Sequence, residues 1–263
     1  MQLLISIYRI IFARPIFFRL NDMLFRLILR GLGILNFENS KISGEDYLIN
    51  KILPTKLKIS NPIIFDVGAN IGDYSLALSG RFPNSIIYSF EPHPETFSRL
   101  KSNIPTNNIK LFNFALGEKK DTLTLYDRND SNGSPFASLH KEAITDIQNK
   151  GTIEIPVQVF TLDEFTTENN ISRIDFLKID TEGNELSILK GAKNLLDECK
   201  IGCIHFEFNE MNVVSRTFMR DFRIILKNYQ LYRLLPKGLL LLNDSPIASE
   251  LFAYQNILAV PKK

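Results

Sequence analysis

The sequence has no tryptophan, three histidines and two cysteines. Cys199 and Cys203 cannot build a disulfide framework or a CxxC pair, and His93, His140 and His205 are too scattered for a structural zinc site. Such sparing cysteine use fits a reducing compartment, so the cytoplasm is the expected location. An excess of one charge is also missing. The 31 Lys and Arg against 29 Asp and Glu leave a net charge of +2, which gives no reason to expect a nucleic-acid partner. No uninterrupted apolar run approaches the roughly eighteen residues of a membrane span. Nor is there the positive-then-apolar order of a secretory signal. What remains is an ordinary globular composition, 44% hydrophobic and 23% charged, in 263 residues. That length accommodates one sizeable α/β domain with an appendage.

The first thirty-five residues are the outlier. They are rich in Ile, Leu and Phe and carry Arg9, Arg14, Arg19, Arg26 and Arg30 against one acid, Asp22. Beyond Pro15, the residues Arg19, Asp22, Arg26 and Arg30 recur at helical spacing and make one polar stripe on an apolar helix, which Gly31 and Gly33 can end. Two readings stay open. The helix packs on the domain with its stripe in water, or it lies in a membrane interface with its arginines on lipid phosphates. A second helical patch, Gly44 to Leu53, should stop at Pro54, which places residues 1–58 in a helical extension and 59–263 in the main domain.

From there, short β-branched and aromatic runs alternate with helical segments, the mark of a parallel sheet covered by helices on both faces. Strands are expected at 62–67, 86–91, 109–115, 174–180, 201–208, 229–235 and 251–260, with helices near 72–80, 94–104, 184–197 and 212–227. Residues 117–171 interrupt the rhythm with a β excursion (122–126 and 155–159) around a polar loop, 127–140. That loop and region 236–250 are expected to shape a substrate pocket.

Two constellations carry chemistry in this frame. In FDVGANIGDY, 65–74, a strand ends in Asp66 and a turn with Gly68 and Gly72 enters a helix. The glycines let backbone approach a ligand, and the helix start offers free N–H donors. Asn70 occupies the place of the second glycine of GxGxxG, so this is not the dinucleotide fingerprint, which counts against a nicotinamide-dependent oxidoreductase. About twenty residues on, IIYSFE ends in Glu91, an acid placed to accept hydrogen bonds from ribose hydroxyls. Together they indicate an adenosine-containing cofactor.

The chain resembles the FkbM family of S-adenosylmethionine-dependent methyltransferases. The matching residues are FDVGANIG (65–72), SFEP (89–92), FALG (114–117), TLDEF (161–165) and KIDTEGNELSILKG (178–191), in the family's order. The resemblance implies a Rossmann-like sheet of seven strands, mostly parallel, in the order 3-2-1-4-5-7-6, and S-adenosylmethionine as cofactor. It implies that Asp66, Gly68, Asn70 and Gly72 line the methionine end, that Glu91 holds the ribose, and that Ala115 and Leu116 border the adenine. The implied reaction is O-methylation of a sugar or other small or glycan acceptor.

If the fourth and fifth strands are neighbours, Lys178, Asp180 and Glu182 converge with Glu207 and Asn209 at their carboxyl ends, where ligands bind in such sheets. Three carboxylates in one cleft imply a retained proton, a balancing lysine or a bound cation. Asp180 or Glu182 could take the acceptor's proton with Lys178 tuning it. A divalent cation could act instead, but the lack of a compact His/Asp ligand set favours the metal-free version. For Glu182 a plainer role, capping the helix that starts at Asn184, stays open. The competing functional reading is a catalytically silent cofactor-binding or membrane-adapter protein, against which the intact acids at 66, 91 and 180 argue.

Overall fold

The computed structural model describes residues 1–105, 108–130 and 133–262. Ser131 and Asn132, in the expected polar loop, lie outside the described residues. In chain order the strands are β1 (Ile63–Val67), β2 (Ile86–Phe90), β3 (Ile109–Phe112), β4 (Ala115–Leu116), β5 (Asp121–Arg128), β6 (Thr152–Phe160), β7 (Ile174–Ile179), β8 (Ile201–Phe208), β9 (Tyr229–Leu235), β10 (Gly238–Leu241) and β11 (Gln255–Pro261). Eight of them form one sheet in the order β10-β9-β11-β8-β7-β1-β2-β3, and β4-β6-β5 form a second. Without β10 the large sheet has the expected seven-strand order, with β11 antiparallel to both neighbours. The eighth strand, β10, folds back on β9 across the two-residue turn at Pro236 and Lys237 and extends the edge.

The central strands are apolar on both faces because both faces are covered. Phe65, Val67, Leu177, Ile179, Ile204 and Phe206 point into one core layer. Ile64, Ile87, Phe176 and Cys203 point into the other. Residues 45–56 belong to that second layer, through Leu48, Ile49, Ile52 and Leu53. The segment expected to stop at Pro54 therefore continues to Lys56, with a widened turn over Leu48–Ile52 just before the proline, whose missing N–H falls in a first turn. Although assigned from sequence to the extension, it covers the sheet. Residues 1–31 are what stands apart: helix α1 (Gln2–Phe12) buries no residue and helix α2 (Phe18–Gly31) buries only Leu29.

Other departures from the sequence reading have local causes. The third strand ends at Phe112 rather than 115, and Ala115–Leu116 pair with β6 as the first strand of the small sheet. The expected helix 184–197 is two, Glu185–Lys190 and Lys193–Asp197. At the joint, Gly191 approaches the Gly117 carbonyl so closely that a Cβ would lie 2.0 Å from its oxygen. The expected helix 212–227 is likewise divided into Met211–Val214 and Met219–Ile225, and the last strand starts at Gln255 instead of 251.

TLDEF proves to be a structural joint. Thr161 and Glu164 form a reciprocal cap on the helix Leu162–Glu168. Asp163 accepts from the backbone N–H groups of Asn194 (2.9 Å) and Leu195 (3.1 Å), capping the next helix, while Phe165 sits among Phe65, Tyr88, Phe90, Phe112 and Phe114.

Gly68 has φ +78°, and a Cβ there would lie 1.7 Å from the carbonyl oxygen of Asp180. The glycine lets β1 and β7 close at their carboxyl ends, so its close approach is to the chain's own backbone. Gly68→Ala is expected to lower the unfolding free energy by about 2–4 kcal/mol, from left-handed strain and overpacking. Urea denaturation measures it, and an unchanged midpoint would show that the two strands can part at no cost.

Candidate active site

The turn after β1 and the tip of β2 are built around one carboxylate. Glu91 is 7% exposed, and its oxygens accept from the backbone N–H of Asn70 (3.0 Å) and of His93 (2.9 Å). Asn70 takes a left-handed conformation, φ +48°, which asparagine tolerates, so its N–H can reach that acid. Burial pushes the Glu91 carboxyl up to about 7. Each oxygen keeps a lone pair beyond its backbone donor, and the residue lines a cleft of about 550 Å³. Phe90, Phe114, Ala115 and Leu116 form an apolar wall beside it, suited to a flat heterocycle. On the other side of the turn is a second cavity of about 630 Å³, and the two share Gly68, Asn70 and Asp180.

Asp66, Lys178 and His205 are register partners across β1, β7 and β8, a polar row inside an apolar sheet. The Lys178 ammonium lies 3.2 Å from Asp180 Oδ2 and 3.5 Å from Asp66 Oδ1, and it donates to the Gly68 carbonyl at 3.3 Å. Burial alone would favour its neutral form, but Asp180, Asp66 and Glu45 outweigh it and hold the lysine charged. His205 is driven down to about 4 by burial and stays neutral, bridging the Tyr74 hydroxyl (3.1 Å) and Asn256 Oδ1 (3.0 Å).

Asp180, Glu182, Glu207 and Asn209 come together in the first cleft. The Asn209 amide donates to Glu207 and lies 3.4 Å from Glu182 Oε2. Burial, reinforced by the charge of Asp180, pushes both glutamate carboxyls well above the usual carboxylate range. Asp180 differs: its side chain is 38% exposed and it touches the lysine. Among the described residues, no group of three or more His, Cys, Asp and Glu side chains is arranged to hold a metal ion.

Of the residues picked out from sequence, Gly68, Asn70, Glu91, Ala115, Leu116, Asp180, Glu182 and Glu207 line the first cleft, and Lys178 lines the second cavity. Asp66 and Gly72 do not line either. Asp66 is fully buried behind the turn, accepting from Ser75 at 2.5 Å, and Gly72 faces Leu100 and Ile104 at φ +98°. The helix cap considered for Glu182 is not made, since the helix from Glu185 has no side-chain cap; Glu185 instead accepts from the N–H groups of Thr181 (2.9 Å) and Gly183 (3.2 Å) in the turn before it. Region 236–250 does not contribute to the cleft wall, which is completed by Phe37, Met211 and Tyr254. Glu45 went unforeseen. It lines the second cavity beside Lys178 and Tyr74, and burial raises its carboxyl, yet nothing local distinguishes it from a solvated helix-start acid.

The polar loop is fastened from within. Asp127, fully buried, accepts from the N–H of Gly133 (2.8 Å) and Ser134 (3.1 Å) and from the Ser134 hydroxyl. Its Oδ2 lies 3.2 Å from His93 Nε2. The other ring nitrogen, Nδ1, accepts from Glu95 N–H (3.2 Å) and Thr96 N–H (3.4 Å) to cap the helix Pro94–Asn103, so the proton belongs on Nε2. This clasp holds Ser134, Pro135 and Phe136 against the cleft. Asp127→Asn is expected to cost about 1–3 kcal/mol, since an amide cannot replace a carboxylate that accepts all these donors. Hydrogen exchange at the Gly133 and Ser134 amides should accelerate while exchange in β7 does not, and equal protection would remove the clasp.

Methyltransferase sdnD of Sordaria araneosa is 32% identical over 158 residues, 51% of this chain and 61% of that protein. The 2-O-methyltransferase NoeI of Sinorhizobium fredii is 22% identical over 202 residues, 72% of this chain and 81% of that protein. The hexuronic acid methyltransferase AglP of Haloferax volcanii is 29% identical over 160 residues, 59% of each chain. The chain thus spans about three fifths of the length of sdnD and of AglP. The model of the Methyltransferase FkbM domain matches residues 66–233, from the buried acid of β1 to the arginine of β9, and the chain belongs to that family.

Proposed function

We propose that this protein transfers a methyl group from S-adenosylmethionine to a hydroxyl of a sugar or other small acceptor. The observation that carries this reading is the pairing of two acids across one turn: Glu91 beside an apolar slot, and Asp180 opposite it where the two cavities meet. Family membership supports the reading, as do the 2-O-methyltransferase and hexuronic acid methyltransferase among its relatives. The residues present fit the cofactor. Glu91 has acceptor capacity aimed into the cleft for ribose hydroxyls, and Ala115 and Leu116 with Phe90 and Phe114 suit an adenine. The Gly68–Asn70 turn and the second cavity suit the methionine end.

Bound there, the cofactor supplies an activated methyl group on a sulfonium. What the chain must add is alignment and a proton acceptor, since a neutral alcohol is a weak nucleophile. Asp180 is assigned that proton, with Lys178 fixing its carboxylate from below. Glu182 and Glu207 line the same cleft and are placed to hydrogen-bond with acceptor oxygens, which orients the hydroxyl. Phe37, Phe136 and Tyr254 at the rim exclude water from the reacting atoms.

Calorimetric titration with S-adenosylmethionine and with NADH tests the cofactor assignment directly, and binding of NADH alone would overturn it. Asp180→Asn should slow methyl transfer from radiolabelled cofactor by about 10²–10⁴-fold while leaving cofactor affinity nearly unchanged. Near-wild-type turnover would move the base elsewhere.

The ribose role of Glu91 carries a pH signature. The carboxylate form accepts from ribose hydroxyls, so affinity for S-adenosylhomocysteine should weaken as pH falls through about 7 and level off above it. Glu91→Gln should bind more weakly and lose this dependence. A flat wild-type profile would separate Glu91 from the ribose.

A further inference from the structure

We infer that helices α1 and α2 form a docking surface for an anionic lipid bilayer. The two helices are joined by a turn that holds Arg14, with Arg9 and Arg19 on the helices that flank it. Asn21 accepts from the Tyr8 hydroxyl at 2.5 Å and donates to the Phe12 carbonyl at 3.0 Å, while the Tyr8 ring stacks on Phe12, which meets Phe17 edge-on. What the hairpin presents is apolar. Leu3 is 74% exposed, Ile10 66%, Ile16 83% and Phe18 69%, and on α2 Phe25 and Ile28 are also exposed. Arg26 pairs with Asp22 and Arg30 with Glu38. Among the described residues, Arg9, Arg14 and Arg19, in and beside the turn, have no ion-pair partner.

Charge decides what covers this surface. Residues 1–35 hold five arginines and one aspartate, four net positive charges, while the whole chain has a net charge of +2. The remainder is therefore net negative by two. A second copy seated on this face would bring another four positive charges against the first, without acids to meet them. Lipid phosphates supply the missing anions, and acyl chains cover Leu, Ile and Phe side chains without requiring a matching shape. Spanning is excluded by length. Helices of 11 and 14 residues reach about 17 and 21 Å at ~1.5 Å per residue, against ~30 Å of hydrocarbon, and no described helix is long and apolar enough to cross a membrane. An in-plane position remains.

The surface is coupled to the domain. After α2, Leu35 N–H donates to the Tyr254 carbonyl at 2.8 Å, Ile34 bridges Gln255, and the buried Arg233 donates to the Leu32 carbonyl at 3.3 Å. Phe37 then reaches the cleft rim edge-on to Tyr254. A docked protein therefore holds one cleft edge near the lipid surface.

The test is co-sedimentation of the full chain with vesicles of phosphatidylcholine alone and of phosphatidylcholine mixed with phosphatidylglycerol. Binding is expected only to the mixed vesicles, with release at high salt. Replacing Arg9, Arg14 and Arg19 together with Glu should lower partitioning at least about 100-fold, and Leu4→Ser with Phe18→Ser and Phe25→Ser should weaken it even at low salt. Calorimetric binding of S-adenosylhomocysteine, unchanged in both triple variants, shows that the domain is folded. Equal binding to both vesicle types, no binding to either, or undiminished binding of the arginine variant would overturn the proposal. Concentration-dependent dimerisation without vesicle binding would assign the face to a second copy.

Discussion

An ammonium group buried in the middle of the sheet holds this site together. Lys178 is on a central strand, where a lone charge would cost several kcal/mol in lost hydration. It is tolerated because Asp66 and Asp180 flank it, the Gly68 carbonyl accepts from it, and the Tyr74 ring lies beneath it with its centroid at 5.2 Å. The dependence runs both ways. Without the lysine, Asp66 would be an uncompensated acid at zero exposure. The carbonyl it holds is that of the turn on which both cavities meet. One cation thus ties together the ends of β1 and β7 and the glycine turn.

Around that cation the carboxylates are separated by environment more than by sequence. Asp180 is in contact with the lysine and open to solvent. Glu182 and Glu207 share an asparagine and are raised by burial and by the charge of Asp180. Glu91 is buried but supplied with two backbone donors, and burial lifts it to about 7. The same functional group is therefore met in three different settings in one cleft, through differences in burial and neighbours.

Much of this was legible in the sequence because it follows from strand periodicity. Alternation placed Lys178 with Asp180, and Glu207 with Asn209, and a parallel-sheet pattern located Glu91 at a strand tip. What could not be read depends on long-range packing. Glu45 reaches the site only because residues 45–56 cover the sheet. Gly72 and Asp66 have the right motif but face a helix and the core. The capping role considered for Glu182 is not taken up, because the turn at Gly183, φ +105°, is itself tied by its backbone N–H groups to Glu185. Aromatic rim residues Phe37 and Tyr254 come from opposite ends of the chain, and no spacing rule joins them.

The small sheet is held at its base and clasped to the domain again near its tip, where Asp127 Oδ2 lies 3.2 Å from His93 Nε2. Where it leaves the domain, Thr161, Asp163 and Gly191 lock the returning strand to two helices, and the Asn184 amide grips the Leu116 carbonyl at 3.0 Å. Farther out, β5 and β6 pair only with each other for most of their length. Changes in this hairpin therefore reach the cleft through the loop that Asp127 clasps, while the wall of Ala115 and Leu116 stays rooted beneath it. Variation in the outer cleft wall can therefore accumulate in one peripheral module, while the inner half stays under the strict geometry of a closed glycine turn.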